Sequence, residues 1–539
     1  MKIIEKYNRE ISYLFIISLL YFLSATFVQP INFIFSSGHP VNDEFYYALP
    51  IVALLEKKKF IVAEGYAAWA LPQTFIGYGV SKLFGFSFNN MRYINIFFCL
   101  LNGLLLYVVF RKYLKINYII SSYVLLLFLF FPPIFINSVT FQSDTIFLFF
   151  LITSILFLYI YQKEKKYLYL FLFNLFSLLC IAQRQLGVVL CAYMIFILIL
   201  NFKKKKFLVL SIIFQAIVFF IIYKVWREII GETNPFKVFD LSIYKLIKIN
   251  FNIIQIIAYA GMVVVPLIFF YVFEKNFVNK IKRHNVVLAI IFLFVVFFIF
   301  LKFKMLMPYF DNQYSKFGVF RLNEILRGKR EYFFSEFFYI ALTFVSSVGS
   351  CILYFCLYEK WKLIFKNNLL SVYIVIIVLF TAVSLLLFIH FNDRYLIPFF
   401  FIIFLLLGFI IEKKIILKKF HFITIFLCTL FLLFNISVSI FITQDMFIWS
   451  EKRWSLAEAF IKKKYISSFE LDGGHEWNWI YHLELIKDKN DNGHVSNAEI
   501  DRKKDQKYRI VFGSDEHGLH KIKFESHFRR GEISVIKIK

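Results

Sequence analysis

The chain has 539 residues, of which 60% are hydrophobic and 21% are aromatic, and its mean hydropathy is +0.69. A soluble globular domain does not need so much apolar surface, so the composition predicts a protein with several membrane-spanning helices. The formal net charge of +26 would suit a nucleic-acid partner. However, much of the positive charge lies in short loops between apolar runs, which is the pattern that orients membrane proteins. We therefore expect membrane lipids around the protein and no nucleic-acid partner.

Long apolar runs along most of the chain predict thirteen transmembrane helices, because about 20 apolar residues cross a bilayer. The predicted spans are residues 11–35, 93–110, 119–136, 145–161, 167–182, 186–200, 207–226, 253–273, 286–303, 337–358, 369–389, 395–411 and 420–443.

The distribution of lysine and arginine predicts the orientation of these spans. If the N-terminus is cytoplasmic, every predicted inner loop carries a basic cluster, as the positive-inside rule requires. The first loop, residues 36–92, and the C-terminal tail then lie on the extracytoplasmic side. We expect a multi-pass protein of the plasma membrane, in a bacterium the inner membrane.

The tail has a different composition from the rest of the chain. Residues 1–443 are predicted to form the transmembrane catalytic domain, and residues 444–539 a small extracytoplasmic α+β domain with strands at 467–471, 507–512 and 533–538. Amphipathic patterns predict helices along the membrane interface at 45–55 and 67–84 in the first loop, and at 451–464 in the tail. The predicted fold class is thus a polytopic α-helical membrane protein with a small outer domain.

Two adjacent carboxylates, Asp43 and Glu44, lie in a short polar stretch, residues 38–47, that follows the first apolar run. Ionisable side chains at the edge of a membrane span are candidates for function. The alternative is that both residues only cap the next helix, where free N–H groups stabilise an acidic side chain. The stretch alone favours neither interpretation.

Further polar residues lie at the predicted outer ends of other spans. They are Asp144, Arg184, Gln185, Arg394 and Tyr395, and Glu64 lies within the first loop, upstream of Pro72. Taken singly, each has an ordinary explanation, such as a helix cap or an arginine that reaches to the membrane surface. Together with Asp43 they are predicted to share one membrane face. Arginine binds phosphate through paired hydrogen bonds, and a nearby carboxylate can accept a proton, so the set suggests a site for an anionic lipid headgroup.

Cysteine and histidine give no metal-binding pattern. All six cysteines lie inside apolar runs, where they are expected to fill the core. Six of the ten histidines lie in the tail, but their spacing does not match a zinc site. No metal ligand is assigned.

Several short motifs resemble one family in their order and membrane side. These are Asn42-Asp43-Glu44-Phe45-Tyr46, Leu71-Pro72-Gln73, Met91-Arg92-Tyr93-Ile94-Asn95, Phe141-Gln142-Ser143-Asp144, Gln183-Arg184-Gln185, Arg394-Tyr395-Leu396-Ile397-Pro398 and Asp472-Gly473-Gly474-His475-Glu476-Trp477-Asn478. They resemble the GT-C superfamily of membrane glycosyltransferases, in particular the glycosyltransferase family 39-like group. That group includes the protein O-mannosyltransferases and the bacterial aminoarabinose transferase of lipid A. The resemblance covers the first seven spans well and the later ones sparsely.

The resemblance implies an inverting transfer of a hexosyl or pentosyl group from a polyprenyl-phosphate donor to a hydroxyl on a lipid, glycan or protein. Asp43 would be the general base, and Glu44 would assist or orient it. Arg184, with Arg394, would hold the lipid phosphate, and Asp144 would position Arg184 or the sugar.

The resemblance also leaves points open. Gln185, Tyr395 and Glu64 complete the expected substrate-binding set. Some relatives bind a divalent metal, for which clustered carboxylates are suitable ligands, and no cofactor is assigned. The first loop has a single proline, Pro72, where many members have two after a charged patch, so the acceptor stays undefined.

Other classes of membrane protein fit the sequence less well than a transferase. A transporter or flippase needs polar groups near the bilayer midplane, whereas here they are predicted at one rim. A polysaccharide polymerase or ligase of the cell envelope would not be expected to carry the first-loop acidic pair. A structural protein would give no reason for that pair.

Overall fold

The computed structural model describes residues 2–29, 38–63, 68–200, 206–230, 243–272, 297–298, 300–302, 306–310, 313–320, 327–328, 332–387, 392–415, 422–474, 476–478, 480, 494–495, 506–513, 518–526 and 530–538. Its helices run in chain order as α1 (Lys2–Phe27), α2 (Glu44–Lys57), α3 (Leu71–Phe84), α4 (Phe88–Val108), α5 (Tyr118–Leu129), α6 (Pro132–Val139), α7 (Asp144–Glu164), α8 (Tyr167–Gln183), α9 (Val189–Leu200), α10 (Lys206–Ile230), α11 (Ile243–Val263), α12 (Val265–Val272), α13 (Glu336–Lys366), α14 (Asn368–Leu387), α15 (Ile397–Ile415) and α16 (Phe422–Lys464).

The membrane-spanning character of the chain is confirmed. In the described ranges, eight helices are long and apolar enough to cross a bilayer, and two bent pairs, α5 with α6 and α11 with α12, bring the number to ten. The shorter apolar helices α8 and α9 correspond to two more of the predicted spans. The remaining predicted span, 286–303, lies mostly outside the described residues. The protein is therefore a polytopic α-helical membrane protein.

A proline pair produces the bend that shapes one end of the bundle. Helix α5 ends before Pro132 and Pro133, and α6 begins there at an angle of 63°. Proline lacks an N–H and keeps the preceding residue out of the helical conformation, so the chain must turn. The segment after α6 is held by Asn95 of α4, whose Nδ2 donates to the carbonyls of Thr140 at 2.6 Å and Gln142 at 2.7 Å.

The two predicted helices of the first loop are confirmed as α2 and α3. Each has 14 residues, or about 21 Å at 1.5 Å per residue, which is too short to cross the hydrocarbon core. Helix α3 is tied to the bundle by an amide pair, in which Gln183 Nε2 donates to Gln73 Oε1 at 2.9 Å. Gln73 Nε2 in turn donates to the Phe141 carbonyl at 3.3 Å.

Helix α16 corrects the prediction of a separate interfacial helix at 451–464. It continues for 43 residues without a break, about 65 Å and twice the thickness of the hydrocarbon core. No glycine or proline interrupts residues 422–464, so the helix runs on where the composition turns polar. Trp454 and Phe460 are buried against the tail, on Trp477 and Tyr508 respectively, instead of facing the membrane.

The tail forms a five-stranded sheet that recruits a strand from an earlier loop. Its strands are β4 (Arg327–Gly328), β5 (Leu471–Asp472), β7 (Tyr508–Phe512), β8 (His520–Glu525) and β9 (Arg530–Lys537), and both β4 and β5 pair in parallel with β7. A further parallel pair joins β1 (Val62–Ala63) of the first loop to β6 (His494–Val495). In the loop before α13, β2 (Tyr314–Ser315) and β3 (Gly318–Val319) form an antiparallel pair.

The strand predictions hold in part. The predicted strands 507–512 and 533–538 coincide with β7 and β9, and β8 was not predicted. The predicted strand 467–471 is instead mostly a 3₁₀ turn, Ser468–Glu470, which a Ser467–Glu470 capping box stabilises. The pairings of β1 and β4 tie the tail to two loops of the membrane domain.

Two glycines let α11 and α13 approach closely. A Cβ atom on Gly349 would overlap the carbonyl oxygen of Gly261. Small residues at such contacts allow backbones to pack in the membrane, where the hydrophobic effect does not drive helices together. Ser350 adds a hydrogen bond from its Oγ to the Ile257 carbonyl at 2.8 Å.

We predict that Gly349→Ala lowers the stability of the purified protein by about 1–3 kcal/mol or more, because the new methyl group must separate the two helices. The measurement is the unfolding temperature in detergent. The control is Gly79→Ala in α3, where a Cβ atom would meet no atom within 4 Å and alanine favours the helix. Equal unfolding temperatures for the two variants would contradict the close packing of α11 and α13.

Candidate functional site

Asp43 precedes α2 but does not cap it. Its side chain makes no capping hydrogen bond, and its Oδ2 instead accepts a hydrogen bond from Arg394 Nη1 at 2.7 Å. The Asp43 side chain is 24% exposed and that of Arg394 13%. The capping interpretation therefore does not hold for Asp43, which forms an accessible ion pair with a residue 351 positions away.

Glu44 is fully enclosed beneath this pair. Its carboxylate accepts hydrogen bonds from Arg92 Nε at 2.9 Å and Nη2 at 2.6 Å, and both side chains are 0% exposed. The backbone N–H groups of Val41 and Phe141 also donate to it, at 2.9 Å and 2.8 Å. Glu44 thus joins the first loop to α4 and to the segment before α7. Because the Glu44 side chain is not exposed, it can orient its neighbours but cannot contact a substrate.

Asp144 and Arg184 form a second ion pair where α7 begins and α8 ends. Arg184 Nη1 lies 2.9 Å from Asp144 Oδ1, and Nη2 donates to Oδ2 at 3.0 Å, which is the paired geometry of strong arginine–carboxylate bonds. Arg184 Nε donates to Ser143 Oγ at 2.9 Å. Asp144 is therefore placed where it can position Arg184.

Tyr395 lies against both arginines. Its ring centre is 5.6 Å from Arg184 Cζ and 5.5 Å from Arg394 Cζ, within the range of cation–π attraction. The two ion pairs, Asp43–Arg394 and Asp144–Arg184, therefore share one aromatic neighbour and form a single cluster. We call these five residues the rim cluster.

Asp393 fixes the direction of Arg394. Its buried carboxylate accepts hydrogen bonds from the backbone N–H groups of Gln313, Tyr314 and Arg394, each at 3.0 Å. These bonds anchor the 3₁₀ turn Asp393–Leu396 to the loop at 313–320. The sequence pattern suggested Arg394 and Tyr395 but not this support.

Two buried donors, one in the rim cluster and one beside it, are unpaired. In the part of the chain that the structure describes, Arg394 Nε and Gln142 Nε2 have no hydrogen-bond partner. Gln142 Oε1 accepts from Arg394 Nη1 at 3.2 Å, so the two groups lie side by side. Leaving a buried donor unpaired costs about 1–3 kcal/mol, and such groups are rare. Both groups are donors, so each could pair only with an acceptor atom.

Two neighbouring groups stay uncharged at neutral pH. Burial raises the pKa of the Tyr47 phenol, whose oxygen accepts a hydrogen bond from Ser143 Oγ at 3.1 Å. Burial, together with the charges of Arg453 and Arg92, lowers the pKa of His39 from 6.5 to about 4. Neither group therefore adds charge to the rim cluster, although Tyr47 senses the charges of both ion pairs.

The remaining predicted site residues, Gln185 and Glu64, are not part of the rim cluster. Gln185 is half-buried and opens the 3₁₀ turn after Arg184. Glu64 lies outside the described residues. Across the ranges described above, no group of three His, Cys, Asp or Glu side chains could hold a metal ion, and Asp43 and Asp144 are each paired with an arginine.

Arg92 is the site residue that the sequence could have revealed. It is the only charged residue between Lys82 and Arg111. A lone arginine in an apolar run requires a partner, usually a carboxylate on another segment, and Glu44 is that partner. Glu476 belongs to the tail motif Asp472–Asn478 of the resemblance, which gave it no role, and Arg453 has no comparable signal because it follows two charged residues, Glu451 and Lys452.

The fold and the rim cluster define a polytopic membrane protein with a charged site at one end of its helices. No family model matches the sequence, and no curated protein matches it. Among solved structures the chain is similar to the crystal structure of ArnT from Cupriavidus metallidurans bound to undecaprenyl phosphate. The two share 10% sequence identity over 97% of each chain, with a TM-score of 0.43. At this TM-score the similarity assigns neither the site residues nor a substrate.

We predict that Glu44→Ala destabilises the protein by about 3–5 kcal/mol, because it leaves Arg92 buried without its counter-charge. The measurement is the unfolding temperature of the purified protein. Glu164→Ala is the control, since Glu164 and its partner Lys166 are exposed and such pairs contribute about 1 kcal/mol or less.

The double variant Glu44→Leu/Arg92→Met should recover part of the loss, because replacing both charges removes the unpaired one. A Glu44→Ala protein as stable as the Glu164→Ala control would contradict this account of the buried pair.

Proposed function

We propose that the protein is an inverting membrane glycosyltransferase, which moves a sugar from a polyprenyl-phosphate donor to an acceptor hydroxyl at the extracytoplasmic face. The observation that carries the proposal is the Asp43–Arg394 pair: a partly open carboxylate beside a guanidinium that keeps a buried, unpaired donor. A transfer of this kind needs a base for the acceptor and a cation for the phosphate. The motif resemblance to the GT-C superfamily agrees with it.

Arg394 is the better candidate for the phosphate ligand. The three nitrogens of Arg184 are already engaged by Asp144 and Ser143, whereas Arg394 Nε is unpaired in the described structure. This reverses the order of the two arginines that the sequence resemblance implied. Arg184 then contributes positive charge through the cluster, and Asp144 holds it in place.

The reaction follows from these positions. The acceptor hydroxyl gives its proton to the Asp43 carboxylate as its oxygen attacks the anomeric carbon. The bond from that carbon to the phosphate oxygen breaks, and the polyprenyl phosphate leaves with the electron pair. Arg394 and the Gln142 amide stabilise the negative charge on the departing phosphate. Attack from the side opposite the phosphate inverts the anomeric centre.

Asp43 and the donor phosphate compete for one guanidinium. Because Arg394 Nη1 contacts Asp43 Oδ2, a phosphate that binds Arg394 shares or takes this donor. We expect donor binding to loosen the ion pair and so free the Asp43 carboxylate to act as a base. Donor binding would then precede activation of the acceptor.

A transporter or flippase is the runner-up, and a polar group of residues within the bundle could be read as its pathway. This group links α8, α9 and α10: Gln215 Nε2 donates to Asn174 Oδ1 at 2.9 Å, and Gln215 Oε1 accepts from Ser177 Oγ at 3.1 Å and from Cys191 Sγ at 2.8 Å. Its hydrogen bonds join neighbouring helices, as interhelical polar contacts in membranes do. The group therefore favours helix packing over transport.

We predict that Asp43→Asn lowers sugar transfer by about 10²–10⁴-fold while the protein stays folded, because an amide cannot take the proton. Donor binding should be kept or become tighter, because the uncharged amide competes less with the phosphate for Arg394. The assay follows release of polyprenyl phosphate from a panel of polyprenyl-phosphate sugars. Comparing the glycans of a deletion strain and its parent identifies the sugar to use.

Glu164→Gln is the control. It makes the same change of carboxylate to amide at the far end of α7, about 30 Å along the helix from Asp144, and should leave transfer unchanged. Full activity of the Asp43→Asn protein would rule out Asp43 as the base.

A further inference from the structure

The tail reaches the loop that carries Asp43 through one carboxylate. Glu476 Oε1 accepts a hydrogen bond from the backbone N–H of Asn42 at 2.6 Å, although the two residues are 434 positions apart. Glu476 Oε2 accepts from Arg453 Nη1 of α16 at 2.9 Å, and the side chains of the pair are 0% and 1% exposed. The residue next to Asp43 is therefore held by the tail.

The backbone at Asn42 needs such support. Its φ is 52°, a left-handed conformation that non-glycine residues adopt at a cost, although asparagine tolerates it better than most. Because Asn42 precedes Asp43, its conformation sets the direction in which the Asp43 side chain leaves the loop. A bond from a backbone N–H to a charged carboxylate is about twice as strong as a neutral one, and it fixes this turn.

The position of Glu476 is itself well defined. Glu476 lies in a turn that Asp472 stabilises. The Asp472 Oδ1 atom accepts hydrogen bonds from Gly474 N and Asn478 Nδ2. Arg509 of β7 anchors the same aspartate, since its Nε donates to Asp472 Oδ2 at 2.8 Å. Thus the tail sheet fixes the turn that presents Glu476 to the loop.

Aromatic stacking adds a second contact between the first loop and the residues around Glu476. The ring of His39 stacks on Trp454 of α16, with ring centres 4.6 Å apart and planes 3° from parallel. Trp454 packs in turn on Trp477, the residue after Glu476, at 5.0 Å. The loop is therefore held at two points: α16 contacts His39, and the tail contacts Asn42.

We propose that Glu476 is a positioning residue for the reaction: through Asn42 it aims the Asp43 carboxylate, which makes the tail domain a required part of the active site. The catalytic arm of this proposal rests on the proposed function, and the structural arm does not. Glu476 contacts no reacting group, so its effect on transfer must pass through Asp43.

Hydrogen–deuterium exchange on the full-length protein in nanodiscs tests the structural part of the proposal. In Glu476→Ala, we expect amide exchange in a peptide covering residues 38–47 to rise about tenfold or more, while exchange across α7 stays as in the parent. Glu470→Ala is the control, because Glu470 is a tail carboxylate that pairs with Lys507 and accepts from Ser467 N. It should leave the loop unchanged.

The milder variant Glu476→Gln keeps the shape of the side chain and decides the question if Glu476→Ala does not fold. It should raise exchange in residues 38–47 by a smaller factor than Glu476→Ala would. Unchanged exchange of that peptide in a folded Glu476 variant overturns the proposal, and so does a rise that spreads equally to α7.

The catalytic arm is a double-mutant cycle. We expect Glu476→Gln to lower kcat about tenfold or more, as misplacement of a catalytic group does, with the donor KM within about twofold. In an Asp43→Asn background the same substitution should cause no further loss, since residues that act as a unit are not additive.

Additive losses would overturn the positioning role. If the parent protein transfers no sugar from any donor tested, the proposed function fails. In that case the exchange experiment still decides whether Glu476 fixes the loop.

Discussion

The buried Glu44–Arg92 ion pair is the constraint on which the site depends. A carboxylate with no exposure to solvent must find all its hydrogen bonds inside the protein. Glu44 does so with the Arg92 guanidinium and with two backbone N–H groups, from the first loop and from the segment before α7. Because Asp43 is the residue immediately before Glu44, the hydrogen bonds that hold Glu44 also fix the backbone position of Asp43.

The charged side chains of the rim cluster lie where helices start or stop. Asp144 opens α7, Arg184 ends α8, and Arg394 stands in the turn before α15. A charge is costly within the hydrocarbon core and far less so at its edge. The bundle can therefore gather two arginines and two carboxylates without placing any of them at mid-membrane.

The spans were predictable because hydropathy is a local property of the sequence. The structure places helices on every predicted span that lies in the described ranges, including the bent one at Pro132–Pro133. Helix α16 was predicted wrongly past residue 443, because a change in composition looks like a domain boundary although no residue there stops a helix. The 3₁₀ turn at Ser468–Glu470 was mistaken for a strand, since its short polar-apolar pattern fits both.

The sequence indicated most residues of the rim cluster, but it did not indicate which of them form ion pairs with each other. Isolated polar residues at span ends pointed to Asp43, Asp144, Arg184 and Arg394. Which arginine meets which carboxylate depends on contacts between residues up to 351 positions apart, and spacing alone contains no such information. The contact of Glu476 with Asn42 is of the same kind, and only the folded tail brings it about.

The most direct measurement is the affinity of a polyprenyl phosphate without sugar for the purified protein and for the variants Arg394→Gln and Arg184→Gln. If Arg394 is the phosphate ligand, Arg394→Gln should weaken binding about tenfold or more, as the loss of a charged hydrogen bond does, and Arg184→Gln should weaken it less. Unchanged affinity in the Arg394→Gln protein would contradict the account.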